Sequence, residues 1–204
     1  IALGGKRLQA TVLFSDIRGF TSLSENYDPQ RIVAVLNTYF SVMVDIIFKN
    51  KGTLDKYIGD GILAFFGAPI VRTGHADSAV TTAIEMMSKL DELNKELALP
   101  DPLRIGIGIH SGEAIVGNIG SQRKMEYTII GDTVNTASRV EGLTKELMAD
   151  ILITEETFSR LKGNYLIVPE REIVMRGKTR PIMLYCVKAG HNAAKLQLKI
   201  GNAP

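Results

Sequence analysis

The sequence predicts an α+β fold: a ferredoxin-like βαββαβ core with an extra helix and a C-terminal β-hairpin, its helices lying over one face of the sheet. Three observations predict it. Apolar or alternating runs that read as strands and runs of helical spacing follow in the order strand, helix, helix, strand, strand, helix, strand, strand, helix, strand, helix, strand, strand. Two of the helical runs, residues 29–50 and 76–97, carry enough apolar surface to cover a sheet. At 204 residues and 45% hydrophobic content, the chain fits one domain with a full core.

Residues 1–6, with Gly4-Gly5, read as a linker into a first strand over 8–14. A helix opens at Thr21 or Ser22, and a longer one follows over 29–50. Its apolar residues (Ile32, Leu36, Phe40, Met43 and Ile47, with Val35, Tyr39, Val42 and Ile46 beside them) leave a narrow polar stripe, so burial on more than one side is expected, in the core or at a subunit interface. Residues 53–66 form a hairpin turning at Gly59-Asp60-Gly61. The helix over 76–97 spaces Ala79, Ala83, Leu90, Leu93 and Leu97 along one face, with Met86 or Met87 as core filler. Pro100-Asp101-Pro102 ends it, and residues 103–110 alternate as a strand whose Gly106 and Gly108 let another backbone or a ligand come close. Ser111-Gly112 is expected to turn the chain into a partner strand over 113–119. A strand over 127–132, a helix over 133–146, a strand over 150–153, a helix begun by Thr154-Glu155-Glu156 and a hairpin through Arg176-Gly177-Lys178 complete a domain over 7–190. The tail, 191–204, has no pattern that assigns it.

Charge and cysteine content exclude several classes. With 24 basic and 22 acidic side chains and no long run of either sign, nothing marks a nucleic-acid partner. The single cysteine, Cys186, permits neither an intrachain disulfide nor a Cys-based zinc site, which suits a reducing compartment. No apolar run approaches the roughly 20 residues that span a bilayer, and no signal-peptide pattern is present. A start at Ile1 rather than Met leads us to expect anchoring or upstream regulatory segments outside this sequence.

The chemistry gathers at residues 11–21, which read as a buried strand that stops at Asp16, turns through Gly19 and opens a helix. That layout suits a metal-bound phosphate. Asp60, at a tight turn between two apolar runs, offers a second carboxylate. Mg²⁺ takes hard oxygen ligands, commonly one or two carboxylates completed by substrate phosphates, so two aspartates are enough. One Asp at a turn is ordinarily structural, whereas two, each tied to glycine and apolar strands, favour a shared metal site. Asn135 and Arg139, one helical turn apart, face the same way. By themselves they read as a solvated face, as Arg104 reads as a solvated strand end. His110 packs or caps the expected turn.

The full motifs are more specific. Phe14-Ser15-Asp16-Ile17-Arg18-Gly19-Phe20-Thr21, Lys56-Tyr57-Ile58-Gly59-Asp60, Gly108-Ile109-His110-Ser111-Gly112 and Gly131-Asp132-Thr133-Val134-Asn135-Thr136-Ala137-Ser138-Arg139 resemble, in order and spacing over about residues 7–188, the class III nucleotidyl cyclases. The bacterial adenylyl cyclase branch is the nearest. The resemblance implies a nucleotidyl cyclase fold on a palm core and conversion of ATP to 3′,5′-cyclic AMP. Two Mg²⁺ (or Mn²⁺) would be held by Asp16 and Asp60, with the Ile17 carbonyl as a further ligand. It implies a phosphate cradle at Gly19, Phe20 and Thr21, phosphate contacts from Arg104 and from Arg176 or Lys178, a ribose contact from Asn135, and stabilisation of the α-phosphate by Arg139.

Lys56 and Thr128 fall at the positions that read the purine. Lysine donates, serving adenine N1, and a threonine oxygen can accept from the N6 amino group. Guanylyl cyclases of the family typically carry glutamate and a cysteine or other small residue there. Many adenylyl cyclases have Asp where this chain has Thr128, a departure that bears on base selectivity. The resemblance further implies a head-to-tail homodimer with two shared sites, in the cytoplasm or on the cytoplasmic face of a membrane protein. Competing readings are a guanylyl cyclase, a non-catalytic nucleotide-sensing domain, and a diguanylate cyclase relative. The last is disfavoured by the missing Gly-Gly-Asp/Glu-Glu-Phe turn.

Overall fold

The computed structural model describes residues 3–175 and 179–189. The first strand, β1 (Gly4–Ile17), is longer than the sequence suggests at both ends. Gly4, Gly5 and Lys6 are not linker: they pair with Asn118, Gly117 and Val116. A short helix α1 (Phe20–Asn26) follows, then α2 (Pro29–Lys49), whose first turn is capped by Asp28 accepting from the Gln30 N–H at 2.9 Å. The hairpin β2 (Thr53–Ile58) and β3 (Gly61–Phe66) turns at Gly59-Asp60, with Gly59 at φ 61°. After α3 (His75–Leu97), β4 (Ile105–Gly120) runs beside β1 and pairs with β5 (Met125–Ile130). The chain closes with α4 (Asp132–Glu146), β6 (Ile151–Thr154), α5 (Glu155–Phe158), β7 (Ile167–Ile173) and β8 (Ile182–Val187).

Strand order along the sheet is β2-β3-β1-β4-β6-β8-β7, with β5 on β4. The β2-β3-β1-β4 part is antiparallel throughout and forms the ferredoxin-like core expected from the element order. The expected turn at Ser111-Gly112 is absent. Both residues continue β4, opposite Thr11 and Ala10, because β1 supplies an unbroken ladder alongside them. The reversal comes later, at residues 121–124, between β4 and β5.

The helices occupy both faces rather than one. Leu13, Ile17, Ile62, Ile105, Ile107 and Ile109 meet Tyr39, Met43 and Ile47 of α2 and Ala83, Met86 and Leu90 of α3. On the opposite face Ala10, Val12, Phe65, Ala114 and Val116 pack with Ala137 of α4. Gly106 and Gly108 make the second layer possible. A methyl group at Gly108 would overlap the backbone of Glu141, and one at Gly106 would overlap Thr144 Oγ1. The close approach foreseen at these glycines is that of α4.

By length and composition α2 could cross a membrane: it has 21 residues, with a mean hydropathy of 1.6 in its most apolar window. That revises the expectation that no run comes near this length. Its hydrophobicity has another use in the fold, since Ile32, Val35, Tyr39, Met43, Ile46 and Ile47 are buried in the domain core.

Candidate active site

The β1–β3 register brings the two aspartates together. Ser15 pairs with Ile62, so Asp16 lies beside Gly61 and the turn that carries Asp60. A methyl at Gly61 would stand 3.1 Å from Asp16 Oδ1, so a side chain there would crowd the carboxylate. Burial, and then the negative charge of Asp60, push the Asp16 carboxyl up to about 6. Asp60 Oδ2 is buried and has no hydrogen-bond partner among the described residues. Two crowded carboxylates, one with an orphaned oxygen, are a donor set suited to a divalent cation. No cluster of three or more His, Cys, Asp or Glu side chains with metal-binding geometry occurs among the described residues, so further ligands would come from backbone and substrate oxygens.

The phosphate-binding candidates lie at the same end of the sheet. Gly19 adopts a left-handed conformation, φ 69°, at the mouth of α1, placing Phe20 and Thr21 in the first helical turn. Ile17 pairs with Ile105, and the Arg18 N–H donates to the Arg104 carbonyl at 2.7 Å, which fixes Arg104 next to this turn with its side chain exposed. Arg18 itself points inward: its guanidinium donates to the Ala149 carbonyl and, at 3.4 Å, to that of Thr144. It thereby ties the cradle to the C-terminal end of α4, and burial lowers its pKa.

A second group gathers Lys56 and Thr128. Lys56 Nζ donates to Glu126 Oε2 at 2.9 Å and lies 3.4 Å from Asp55 Oδ1. The Thr128 hydroxyl donates to Asp55 Oδ2 at 2.7 Å. The structure thus joins the two expected purine-reading residues through Asp55, with Glu126 as a further partner of Lys56; the motifs single out neither carboxylate. Asn135 and Arg139 lie on the exposed face of α4, and Arg139 borders a cavity of about 550 Å³ with Leu143, Ile173 and Met175. Arg176 and Lys178 lie outside the described residues.

Two more residues escaped sequence reasoning. Glu141 of α4 is pushed up to about 7, chiefly by burial and then by the charge of Asp16. Tyr39, buried beneath the site with its hydroxyl 3.3 Å from Ser15 Oγ, is pushed upward by burial. His110 is buried and bonded through Nδ1 to Thr154 Oγ1 at 2.8 Å, a packing role rather than a cap.

A ferredoxin-like sheet with paired carboxylates at the end of its central strand defines the palm class of nucleotide-transferring domains. Within that class, residues 6–189 match the family described as adenylate and guanylate cyclase catalytic domain, and the chain belongs to that family. An adenylate cyclase of Anabaena cylindrica is 39% identical over 188 residues, covering 88% of this chain and 36% of that protein. Adenylate cyclase 1 of Rhizobium meliloti (strain 1021) is 32% identical over 182 residues, covering 88% of this chain and 27% of that protein. The chain therefore spans only a minor part of the length of these curated relatives. Two solved structures are similar at a TM-score of 0.85: the guanylyl cyclase Cya2, 38% identical over 93% of this chain and 96% of that one, and the adenylyl cyclase CyaB from P. aeruginosa, 36% identical over 93% and 99%.

Proposed function

We propose that this domain is an adenylate cyclase that converts ATP to 3′,5′-cyclic AMP and pyrophosphate at sites shared between the subunits of a head-to-tail homodimer. Similarity alone leaves the nucleotide open, because one of the similar structures is a guanylyl and another an adenylyl cyclase. The observation that carries the choice is the Lys56–Thr128 pair: an ammonium donor and a hydroxyl whose proton is taken by Asp55, leaving its oxygen to accept. That pattern complements N1 and N6 of adenine and is the reverse of guanine's.

Asp16, Asp60 and the Ile17 carbonyl would hold two Mg²⁺ or Mn²⁺ ions. These supply Lewis-acid polarisation of the ribose 3′-hydroxyl and of the pyrophosphate leaving group. The backbone N–H groups at Gly19, Phe20 and Thr21, with Arg104 and with Arg176 or Lys178, bind the triphosphate. Asn135 orients the ribose so that O3′ lies in line with the α-phosphorus. Arg139 stabilises the charge that develops there as the bond to the β-phosphate oxygen breaks. The 3′-hydroxyl proton passes to solvent, and no side-chain base is required.

Along the β1–β4 ladder Thr128 stands far from Asp16, although Lys56, paired with Leu63 opposite Phe14, shares its hairpin with Asp60. Asp16 pairs with Gly106 at one end, whereas Thr128 pairs with Gly117, the partner of Gly5, at the other. Tyr57, Ile58, Ile115, Tyr127 and Ile130 leave apolar surface exposed on β2, β4 and β5, as a second copy would require. We assign the domain to the cytoplasm or the cytoplasmic face of a membrane protein, where ATP is found, and its regulation to segments outside this chain.

The test is turnover of ATP and GTP by purified protein with Mg²⁺ or Mn²⁺, the products identified by chromatography. Cyclic AMP should dominate, with kcat/KM for ATP at least tenfold above that for GTP. Cyclic GMP as the main product would replace this reading with the guanylyl one, and nucleotide binding without turnover would replace it with a sensing domain.

A further inference from the structure

Asp55 has the least exposed carboxylate near the purine-reading pair, with a side chain only 1% accessible. It collects donors from two strands. The Thr128 hydroxyl lies 2.7 Å from Oδ2 and 3.0 Å from Oδ1, the Ile129 N–H donates to Oδ2 at 3.1 Å, and Lys56 Nζ is 3.4 Å from Oδ1. On a regular strand Asp55 and Lys56 would point to opposite faces. Here the β2–β3 register slips: Leu54 pairs with Ala64 and Lys56 with the very next residue back, Leu63, so Asp55 is the extra residue of a β-bulge. Bulges re-aim side chains. This one brings Asp55 and Lys56 together against β5.

We propose that Asp55 is a positioning residue that sets the purine selectivity of the site. A hydroxyl has one proton. With that proton committed to Asp55, Thr128 Oγ1 can only accept toward the base, which favours the N6 amino group of adenine and opposes the O6 carbonyl of guanine. The Lys56 ammonium is itself held by a hydrogen bond to Glu126 Oε2 and by the charge of Asp55, 3.4 Å away. Asp55 does not touch the base; it acts through its neighbours. The inference rests on the reading of Lys56 and Thr128 as the base-contacting pair, and the experiment separates the two.

The experiment compares kcat/KM for ATP and GTP in the wild type, Asp55→Asn, Thr128→Val and the double variant, each checked for folding by its thermal transition. The amide of Asp55→Asn can donate to Thr128 Oγ1 and release the hydroxyl proton toward guanine O6. The ATP:GTP ratio should therefore fall at least tenfold, through a higher KM for ATP and a gain with GTP. In the Thr128→Val background, which has no hydroxyl proton to orient, Asp55→Asn should move the ratio less than threefold, the remainder that acts through Lys56. Equal loss on both nucleotides in Asp55→Asn would reduce Asp55 to a structural residue and overturn the proposal. If Thr128→Val leaves the wild-type ratio intact, the base-contact reading itself fails, and the inference fails with it. Should Asp55→Asn not fold, Thr128→Ser decides. It keeps an Asp55-oriented hydroxyl and should hold the ratio within threefold, and a loss as large as that of Thr128→Val would overturn the role of Asp55.

Discussion

Asp60 is the residue at which stability and activity oppose one another. A carboxyl whose folded-state pKa is raised contributes least stability when it is ionised. Asp16, raised from 3.8 to about 6, costs nothing below its unfolded value and increasingly destabilises the fold as pH climbs through 6. Part of that upward shift comes from Asp60. In metal-free protein at pH 7.5, Asp60→Asn should therefore raise the melting temperature by a few degrees while abolishing cyclase activity. Added Mn²⁺ should stabilise the wild type, EDTA should reverse this, and the variant should show a much smaller response, all read by calorimetry. A destabilised metal-free variant would contradict the mutual repulsion of the pair. Asp16 and Asp60 were legible in the sequence because each stands at a chemically marked place, a strand end or a Gly-Asp-Gly turn. Asp55 was not. Its role depends on a bulge that shifts the partner of Lys56 by one residue, and the alternation of apolar and polar residues carries no sign of such a slip.

At the level of single elements, α3 begins with a titratable group in an unfavourable place for charge. His75 opens the helix, hydrogen-bonded through Nδ1 to Thr11 Oγ1 at 2.7 Å, and its pKa is lowered, mainly by burial and then by Arg160, against an opposing effect of Asp77. The positive end of the helix dipole acts in the same sense as Arg160. A lowered histidine means the unfolded chain binds a proton first. Stability is therefore complete above about 6.5, the ordinary histidine value, and declines as pH falls through the lower folded value. His75→Gln keeps a hydrogen-bonding group and lacks the titration, so its melting temperature should fall less between pH 7.5 and pH 5 than that of the wild type. Parallel curves would show that His75 does not carry the dependence. The helices and most strand cores followed from periodicity, whereas β4 did not. Ser111-Gly112 has the local chemistry of a turn, but Ser111 Oγ bonds Thr11 Oγ1 at 2.7 Å across the sheet, and Gly112 is small because Thr133 crowds it. Tertiary pairing there overrides the local signal.

For the whole molecule, the decisive question is whether one chain can complete a site. The strand order of the core was legible from the element order, since a βαββαβ sequence has few ways to cover its sheet. The placement of α4 on the second face was not, because two glycines in a strand do not say what will approach them. That placement puts Asn135 and Arg139 on an exposed helix face, while Asp16 and Asp60 sit at the end of the β1–β3 pair. If the halves meet only across a dimer, a lesion in one half leaves the other half intact. Arg139→Ala should lower kcat by at least a hundredfold with little change in KM, as loss of a preorganised charge-stabilising donor costs about 3 to 4 kcal/mol in comparable sites. Asp16→Ala should be inactive for want of metal ligation. Mixed in equal amounts, the two inactive variants form heterodimers in which one shared site carries both lesions and the other carries neither. With random exchange about half of the dimers are mixed, and each has one intact site of two, so activity should recover toward a quarter of the wild-type level. Sedimentation of differently labelled variants establishes that exchange has occurred. Full exchange without recovery would mean that each chain builds its own complete site, and the head-to-tail arrangement would have to be abandoned.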